Sequence, residues 1–599
     1  MKLKVFNTKI FASLFLAGAL LSSCVDYLEP YPNGNRTTED IWKFQDMVQG
    51  LVGQCYENMP RNYNDNEGVY MDGASDDVVI TSTTNSITRL AVGALPTSLD
   101  PFRNYWDRDY RSIYLTNLFL KDRRGYNTRF LVNAHLDSLV KNRLQGEAFA
   151  LRAWFQWDLL QKFGGKGMNG QMLGFSIVLE PIDIKEQTNL VRNTYDECVK
   201  QIIADCDSAY KYLPIAHRDF LVPNVNDRAY AGGRYWGRFD GISTRAIKAL
   251  VYLTWASPRF NPGNDVSRWD LAAKNAKEVM DFKMKTDAVT NGFGLTKSTN
   301  WFDPNFGGII LAGRYNNAND AMERMFYPGG FQGTGSVGAT QDLVDAFPMK
   351  NGYPITDPRS LYDPAKPYEN RDPRFYATIF HNNAKAVKIN TSTVMYTFEN
   401  WLTGKDAAGP AANSRTNYHI KKMVFMGLNW SDNSINRQPH SKFYFYWAQM
   451  CLTFAEAANQ VEGPDGAKYG LSAKDAMAYL RKKDNTDGGK GFLTDPYLTE
   501  VASLGKANFN EFIKNERRLE TCFEGVRFFD MRRWTTDLAA LNKPVHMAKI
   551  QKNADGTFSY NLDQVAEIRS YASAYLPIPF DEMLRMSNLV QNEGWDAWK

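Results

Sequence analysis

Between residues 144 and 160 the chain carries apolar side chains on two faces of a predicted helix. The first set is Leu144, Ala148, Leu151, Phe155 and Leu159, and the second is Phe149, Ala153, Trp157 and Leu160. Each set recurs at steps that keep its members on one side of an α-helix. A helix that is apolar on two faces must lie between neighbours, as it does in stacked helical hairpins. The segment therefore predicts a mostly α-helical protein.

Further helical patterns extend this prediction along the chain. They lie near 137–163, 194–213, 241–257, 268–281, 440–461 and 472–483. Small residues recur where such helices would approach closely, namely Ala148, Ala153, Ala246, Ala249, Ala455, Ala457 and Ala458. The patterns predict a scaffold of tetratricopeptide-like helix pairs, although insertions obscure any strict period of about 34 residues.

The amino-acid composition changes over residues 284–439. Glycines and Asp-Pro turns are frequent there and helical runs are few, yet aromatic residues remain abundant, which argues against disorder. We predict a loop-rich subdomain with a few short strands, for example within Thr391–Phe398 and His419–Phe425. Gly333–Gly338 matches the dinucleotide-binding glycine pattern, but no apolar strand precedes it, so it is interpreted as a loop before a helix or turn at Thr340–Phe347.

The first residues resemble an export signal. A basic start is followed by an apolar stretch from Ile10 to Leu21, which is too short to cross a bilayer. The stretch ends in Leu21-Ser22-Ser23-Cys24, which resembles a bacterial lipobox. We expect cleavage to leave Cys24 as a lipid-modified first residue, and the alternative is an ordinary secretory signal with a chance cysteine. The predicted organisation is a signal peptide, a tether, a helical part, the loop-rich subdomain and a closing helical part, over 1–23, 24–36, 37–283, 284–439 and 440–599.

The charge balance argues against a nucleic-acid-binding surface, and the cysteine spacing argues against a disulfide between Cys198 and Cys206. The chain has 70 basic and 66 acidic residues, and three of its lysines lie in the leader, so it lacks the basic excess of a nucleic-acid surface. Cys198 and Cys206 are separated by about 12 Å along one predicted helix, beyond the reach of a disulfide. The cysteines after Cys24 are therefore predicted to be buried free thiols: Cys55, Cys198, Cys206, Cys451 and Cys522.

Residues 515–534, which we call the charged joint, interleave charged and aromatic side chains. The charged residues include Glu516, Arg517, Arg518, Glu520, Glu524, Arg527, Asp530 and Arg532. Charges so close to a core must be paired, because an isolated buried ion is very costly. We interpret the joint as a structural lattice of ion pairs and keep a catalytic role as the alternative. Arg527 is expected to pair with Glu516, Glu524 or Glu456.

Motifs for catalysis, metals and cofactors are weak. The histidines are scattered without metal-ligand spacing, and neither a nucleophile elbow nor a phosphate-binding loop appears. Carboxylate pairs such as Asp76 and Asp77 exist, but a glycosidase requires a particular separation that sequence does not give. We predict no catalytic residues, no metal site and no cofactor.

Five blocks together resemble one family. They are GEAFALRAWFQWDLLQKFGG, AIKALVYLTWASPRFNP, YWAQMCLTFAEAANQVEG, ERRLETCFEGVRFFDMRRW and YLPIPFDEMLRMSNLVQNEGW, and they run in the family's order. This series is similar to the SusD/RagB family of nutrient-binding outer-membrane lipoproteins. The resemblance implies a tetratricopeptide-like scaffold carrying a loop-rich subdomain, lipid-anchored at the cell surface. It also implies binding of an oligosaccharide or polysaccharide, with delivery to a SusC-like TonB-dependent transporter.

The same resemblance implies regions that face the ligand. Aromatic rings stack on sugar rings, while polar side chains bind hydroxyl groups. The expected glycan-binding residues, carried over by region, are Asp77, Arg89, Trp106, Trp301 and Tyr327. Trp106 is expected to lie at a helix end that reaches a wet groove. The alternatives are a peptide-binding uptake lipoprotein of the same family, a surface glycoside hydrolase and a purely scaffolding repeat protein.

Overall fold

The computed structural model describes most of the chain after the predicted tether. The described residues are 38–61, 63, 70–182, 187–286, 308–313, 320–389, 393–409, 413–428, 436–482, 492 and 494–598. Two of the predicted functional residues, Cys24 and Trp301, lie outside them. None of the helices in these ranges combines the length and the apolar character needed to cross a bilayer.

Helices dominate the described residues. The longer ones are α1 (Gln45–Asn58), α2 (Arg103–Leu120), α3 (Ala134–Phe163), α4 (Tyr195–Tyr212), α5 (Gly241–Ala256), α6 (Val266–Thr286), α7 (Trp447–Glu462), α8 (Ala473–Arg481), α9 (Pro496–Ser503), α10 (Lys506–Thr521) and α11 (Arg527–Trp534). Short helices span Thr38–Ile41, Ser86–Ala91, Arg124–Asn127, Arg228–Ala231, Ala321–Phe326, Gln341–Ala346, Pro373–Thr378 and Phe580–Arg585.

The long helices stack in chain order. Each of α1 to α6 contacts the next, α6 then contacts α7, and α7 contacts both α8 and α10. The α3 helix lies between α2 and α4, as its two apolar faces require, and Ala148 and Ala153 are completely buried. Gly146 permits a close approach of α3, because a Cβ there would lie 2.5 Å from a side-chain carbon of Leu213. The predicted mostly α scaffold of stacked helices is confirmed.

Local sequence fixes where the helices begin. Thr194 and Glu197 form a capping box at the start of α4, Asp240 and Ser243 form one at α5, and Ser472 forms another at α8. The prediction of a helix from residue 440 is wrong at its start. Phe443–Tyr446 is instead a strand, and α7 begins only at Trp447.

Strands are short and occur as antiparallel pairs in the described residues. They are β1 (Val78–Ile80), β2 (Gly165–Lys166), β3 (Met172–Leu173), β4 (Ile309–Ala312), β5 (Val337–Ala339), β6 (Ile379–Phe380), β7 (Lys385–Ile389), β8 (Thr393–Thr397), β9 (His419–Ile420), β10 (Phe443–Tyr446), β11 (Pro544–Lys552) and β12 (Phe558–Ile568). The pairs are β1–β5, β2–β3, β4–β10, β6–β9, β7–β8 and β11–β12.

Most of the short-strand predictions hold. The strand expected within Thr391–Phe398 is β8, whereas His419–Phe425 supplies only the two residues of β9. The glycine-rich run ends in β5 rather than in loop, because Val337 and Ala339 pair with β1. A helix at Gln341–Ala346 follows it, within the stretch Thr340–Phe347 where a helix or turn was predicted, and Thr340 caps it.

The charged joint connects α10 to α11 and is a lattice of ion pairs. Glu516 is 2% exposed and binds Arg374 at 2.8 Å and also Arg481. Farther along the joint, Asp530 accepts from Arg517 and Arg533. These pairs confirm the predicted lattice.

The partner predicted for Arg527 is wrong. Its Nε and Nη2 donate to the two oxygens of Asp76 at 2.7 and 2.8 Å. The three glutamates that were expected to bind it are engaged by other cations: Glu516 by arginines outside the joint, Glu524 by Lys422 and Glu456 by Arg533.

The cysteine prediction is confirmed. Cys55, Cys198, Cys206, Cys451 and Cys522 are all buried and free. Burial raises the pKa of the Cys55 thiol far above its ordinary value, so the group stays protonated at neutral pH. These thiols therefore act as small apolar side chains of the core.

Candidate functional site

A cavity of about 590 Å³ opens beside α2, and we call it the aromatic cavity. It is built from one face of α2, the segment around 176–190 and the end of the short helix near residue 585. The described residues that line it are Trp106, Asp107, Tyr110, Arg111, Ile113, Tyr114, Ser176, Val178, Ile182, Gln187, Leu190, Arg585 and Met586. Aromatic and aliphatic walls with a few polar groups are typical of a small-molecule site.

Helical spacing aligns three aromatic rings along one wall. Trp106, Tyr110 and Tyr114 follow each other at intervals of four residues, so they lie on one face of α2. The rings of Trp106 and Tyr110 have centroids 4.9 Å apart, and Trp106 also packs edge-on against Phe163 at 5.1 Å. The wall is thus a row of rings whose inner end is fixed by the core.

The opposite wall is tied to α2 by hydrogen bonds. The hydroxyl of Tyr110 accepts from the N–H of Ser176 at 3.0 Å and donates to the carbonyl of Ser176 at 3.2 Å. Asn117 donates to the carbonyls of Val178 and Glu180 at 3.0 and 3.3 Å. These bonds hold the segment after Phe175 at a defined distance from the aromatic row.

The aromatic row is graded from buried to exposed. Trp106 is 3% exposed at the floor, Tyr110 is half-buried, and Tyr114 is 38% exposed at the rim. Burial raises the pKa of Tyr110 well above its ordinary value, so its hydroxyl remains a neutral donor and acceptor. A ligand that entered from solvent would meet Tyr114 first.

Ser176 adds a buried polar side chain to the lining. Its hydroxyl lies next to that of Tyr110, and the hydrogen bond between them opposes the larger effect of burial on the pKa of Tyr110. Asp107 and Arg111 add exposed charged groups at the rim.

The lining can bind a sugar through aromatic and polar groups. Among the described lining residues the aromatic side chains are Trp106, Tyr110 and Tyr114, and Asp107 and Arg111 lie at the rim. Such a lining matches the apolar C–H faces and the hydroxyl groups of a sugar.

The structure separates the predicted site residues. Trp106 does line the cavity, but as a buried floor residue rather than at the wet end of a helix. Arg89 is half-buried on the Ser86–Ala91 helix, outside the lining of the aromatic cavity. Trp301 lies outside the described residues. The predicted constellation is therefore not brought together around Trp106.

Two predicted ligand contacts are corrected by their burial. Asp77 is 0% exposed, because it precedes β1 and its Oδ1 accepts from the Nε of Arg518 at 2.6 Å. Tyr327 is also 0% exposed, packed against Phe331 at a centroid distance of 4.5 Å. Neither side chain offers surface to a ligand in this structure.

Sequence reasoning missed the other members of the site. Tyr110, Tyr114 and Ser176 are not among the residues predicted from the sequence. The interval of four residues between Trp106, Tyr110 and Tyr114 was visible in the sequence and would have identified the row. No sequence signal marked Ser176, since its place depends on how the segment folds back onto α2.

Comparisons with known proteins found two matching family models and a related curated protein. One matching family model is described as the SusD family and covers residues 307–595. A second is described as starch-binding and associating with the outer membrane, and it covers residues 26–232. Among curated proteins, the SusD-like protein P38 of Formosa agariphila is 21% identical over 542 residues, which is 88% of this chain and 92% of that protein.

Solved structures share the fold over nearly the whole chain. A SusD-like protein of Bacteroides fragilis matches with a TM-score of 0.66 at 20% identity, over 93% of this chain and 98% of its own. A SusD-like carbohydrate-binding protein of the same organism matches with a TM-score of 0.65 at 17% identity, over 92% and 99%. A laminarin-binding SusD-like protein matches with a TM-score of 0.51 at 18% identity, also over 92% and 99%.

Proposed function

Because the chain belongs to the SusD family, we propose that it is a non-enzymatic, cell-surface lipoprotein that captures a glycan in the aromatic cavity. The bound oligosaccharide is then delivered to a SusC-like TonB-dependent transporter in the outer membrane. The supporting names are those of relatives, since one structural relative is described as carbohydrate-binding and another as laminarin-binding.

The observation that carries the proposal is the aromatic row. Trp106, Tyr110 and Tyr114 line the cavity over about two turns of α2, and Ser176 lines it from the opposite wall. A linear or gently curved oligosaccharide fits such a row, because successive sugar rings can each contact one aromatic side chain. An acyclic peptide would gain less from the faces of three rings.

The site is suited to reversible binding of a ligand. Trp106 is fixed by Phe163 and Tyr110 is fixed by Ser176, so the inner wall is preorganised and loses little entropy when a ligand arrives. The exposed rim groups Asp107 and Arg111 remain solvated and contribute orientation more than affinity.

Tyr114→Ala is the direct test, because this ring is exposed and its loss should leave the fold intact. A glycan array first identifies a ligand, and isothermal titration calorimetry then compares variants. Loss of an aromatic contact in a binding site often costs about 1.4 kcal/mol or more, which is tenfold in affinity. We expect at least that loss.

Tyr210→Ala is the matched control for Tyr114→Ala. Tyr210 is 37% exposed, on α4 and outside the cavity, so the change is chemically the same and should leave binding unaltered. Equal affinities for the Tyr114→Ala and wild-type proteins would contradict glycan binding in the aromatic cavity. A peptide library that yields ligands where the glycan array yields none would replace the glycan with a peptide.

The membrane anchor is a separate part of the proposal. It rests on the Leu21–Cys24 lipobox and on a family description that mentions the outer membrane. We expect Cys24→Ala protein to fold and to leave the membrane fraction after a high-salt wash, measured in cells that lack the transporter. Retention of that variant in the pellet would contradict lipid attachment at Cys24.

A further inference from the structure

A second cavity, of about 170 Å³, lies where α3, α7 and the charged joint meet, and we call it the arginine cavity. Six cationic side chains line it, against three carboxylates. The cationic residues are Lys162, Arg259, Lys442, Arg517, Arg532 and Arg533. Part of this positive charge is balanced outside the lining, since Glu456 binds Arg533 at 2.6 Å.

The three carboxylates of the lining are already occupied by cations. Asp158 binds both Lys162 and Arg108. Asp530 accepts from Arg517 at 2.7 Å and from Arg533 at 2.8 Å. Glu524 binds Lys422, which is itself buried outside the lining, at 2.7 Å. None of them pairs with Arg259 or Arg532.

Arg259 is buried without a carboxylate partner in the described structure. Its Nε donates to the carbonyl of Arg532 at 2.6 Å, and its Nη1 lies 3.4 Å from the hydroxyl of Tyr575. Its Nη2 is buried and has no hydrogen-bond acceptor among the described residues. The side chain is 7% exposed, so bulk water does not replace the missing acceptor.

Arg532 is likewise buried without a carboxylate partner among the described residues. Its guanidinium lies over the rings of Phe528 and Tyr571, at 3.4 and 4.4 Å, and its Nη1 donates to the carbonyl of Phe528. Its Nε finds no acceptor within the described residues. Burial, with smaller effects of the neighbouring Arg259 and Arg569, lowers the pKa of Arg532 to about 10, and the group stays charged at neutral pH.

Arg517 adds a third free donor. Its Nε is taken by Asp530, but its Nη1 is buried and has no acceptor in the part of the chain that the structure describes. A buried donor without an acceptor costs about 1–3 kcal/mol, and more when the donor is charged. All three arginines line the same cavity, and an anion bound there would supply the missing acceptor.

We propose that the arginine cavity binds a small oxyanion through Arg259, Arg517 and Arg532. Guanidinium groups match the oxygens of sulfate, phosphate and carboxylate, and α11 begins at the cavity wall, so the positive end of its dipole acts in the same direction. The cavity has room for a tetrahedral ion with a few waters at about 30 Å³ each. The oxyanion is either a free ion or the acidic group of a sugar.

Calorimetry on the full mature chain tests this proposal with sodium sulfate, in a buffer free of other oxyanions. Sodium chloride at equal ionic strength is the reference, because screening alone changes stability. We expect saturable binding of sulfate and a melting temperature that rises with sulfate but not with chloride. Equal behaviour in the two salts would overturn the proposal.

Variants of Arg259 locate the site. Arg259→Gln removes the charge, whereas Arg259→Lys keeps the charge but removes the planar guanidinium group with its paired donors. If Arg259→Gln does not fold, the sulfate affinity of Arg259→Lys tests the site. We expect sulfate affinity to fall at least tenfold in Arg259→Gln and severalfold in Arg259→Lys. Arg359→Gln is the control, since Arg359 is exposed and lies outside the cavity. Unchanged affinity in both Arg259 variants would place the ion elsewhere and contradict the proposal.

Two further titrations identify the source of the oxyanion and separate it from the proposed function. Binding of sulfate without glucuronate identifies a free ion, and binding of both identifies a site that also accepts the acidic group of a sugar. Failure of sulfate to bind contradicts the proposal. Tyr114→Ala should leave sulfate binding unchanged, because Tyr114 lies in the other cavity. The oxyanion site can thus stand if glycan capture fails, and the reverse also holds.

Discussion

The aromatic cavity and the arginine cavity use polar groups in opposite ways. At the aromatic cavity the charged groups, Asp107 and Arg111, stay in water at the rim, while rings form the wall. At the arginine cavity Arg517 and Arg532 are buried, at 3% and 5% exposure, and Arg517 pairs with Asp530 of the charged joint. The first region can exchange a ligand readily, whereas the second ties the fold together.

This difference predicts which substitutions affect stability and which affect binding. A charged side chain that keeps its hydration contributes little when its partner is removed, because water replaces the partner. A buried ion that loses its partner retains the full cost of desolvation. The same chemical change therefore has a large effect at the charged joint and a small effect at an exposed position.

The largest expected effect comes from Glu516→Gln in the charged joint. Glu516 binds Arg374 and Arg481, both buried, and the neutral amide would leave two guanidiniums without their shared anion. We expect a loss of about 3–5 kcal/mol in the free energy of unfolding, measured by urea denaturation.

Glu511→Gln is the matched control on the same helix. Glu511 is exposed and pairs with Lys514 at 2.7 Å, and an exposed pair of this kind contributes about 0–1 kcal/mol. Similar losses for the two glutamine variants would mean that the charged joint is solvated, and the contrast between the two regions would fail.

Trp106→Ala should also destabilise the protein. Trp106 is 3% exposed and packs against Phe163 and Tyr110, so truncation removes core contacts as well as the floor of the aromatic cavity. We expect a loss of about 3 kcal/mol in thermal or urea unfolding. A nearly unchanged melting temperature would instead place Trp106 at a wet surface, as its polar sequence neighbours predicted.

A smaller effect concerns pH and Asp72, which is completely buried beside the charged joint and accepts from the N–H of Gly525 at 2.7 Å. Burial raises the pKa of Asp72 to about 7, above the value of about 3.9 in an unfolded chain. The folded state therefore retains a proton that the unfolded state has released, and stability is lost as the pH rises through 7.

Asp72→Asn tests this sign, because the amide stays neutral at every pH and can still accept from Gly525. We expect the variant to lose less stability than the wild type between pH 5 and pH 8, by about 2–3 kcal/mol. Asp563→Asn, at an exposed position, serves as the control. Parallel pH profiles for the wild-type and Asp72→Asn proteins would show that Asp72 is ionised in the folded state throughout this range.

The sequence predicted the parts of the molecule that depend on local pattern. The two apolar faces of α3 predicted a helix between neighbours, and the mixture of charges and rings at 515–534 predicted an ion-pair lattice. The five thiols after Cys24 were predicted to be buried because apolar helical runs surround them. In each case the physical cause lies within a few turns of chain.

What the sequence did not predict depends on which distant segments meet. Arg527 pairs with Asp76, more than 400 positions away along the chain, because the turn between α10 and α11 brings it to β1. Asp77 and Tyr327 appeared in loop-rich stretches and were expected to face a ligand, yet the short strands bury them. The division into subdomains at 284 and 440 remains a prediction.

The central claim is that a neutral glycan is captured in the aromatic cavity and not in the arginine cavity. The most direct measurement is calorimetric titration of one identified neutral glycan into the Tyr114→Ala and Arg259→Lys proteins side by side. The account predicts at least a tenfold loss of affinity in Tyr114→Ala and wild-type affinity in Arg259→Lys. Wild-type affinity in Tyr114→Ala, or a loss confined to Arg259→Lys, would contradict it.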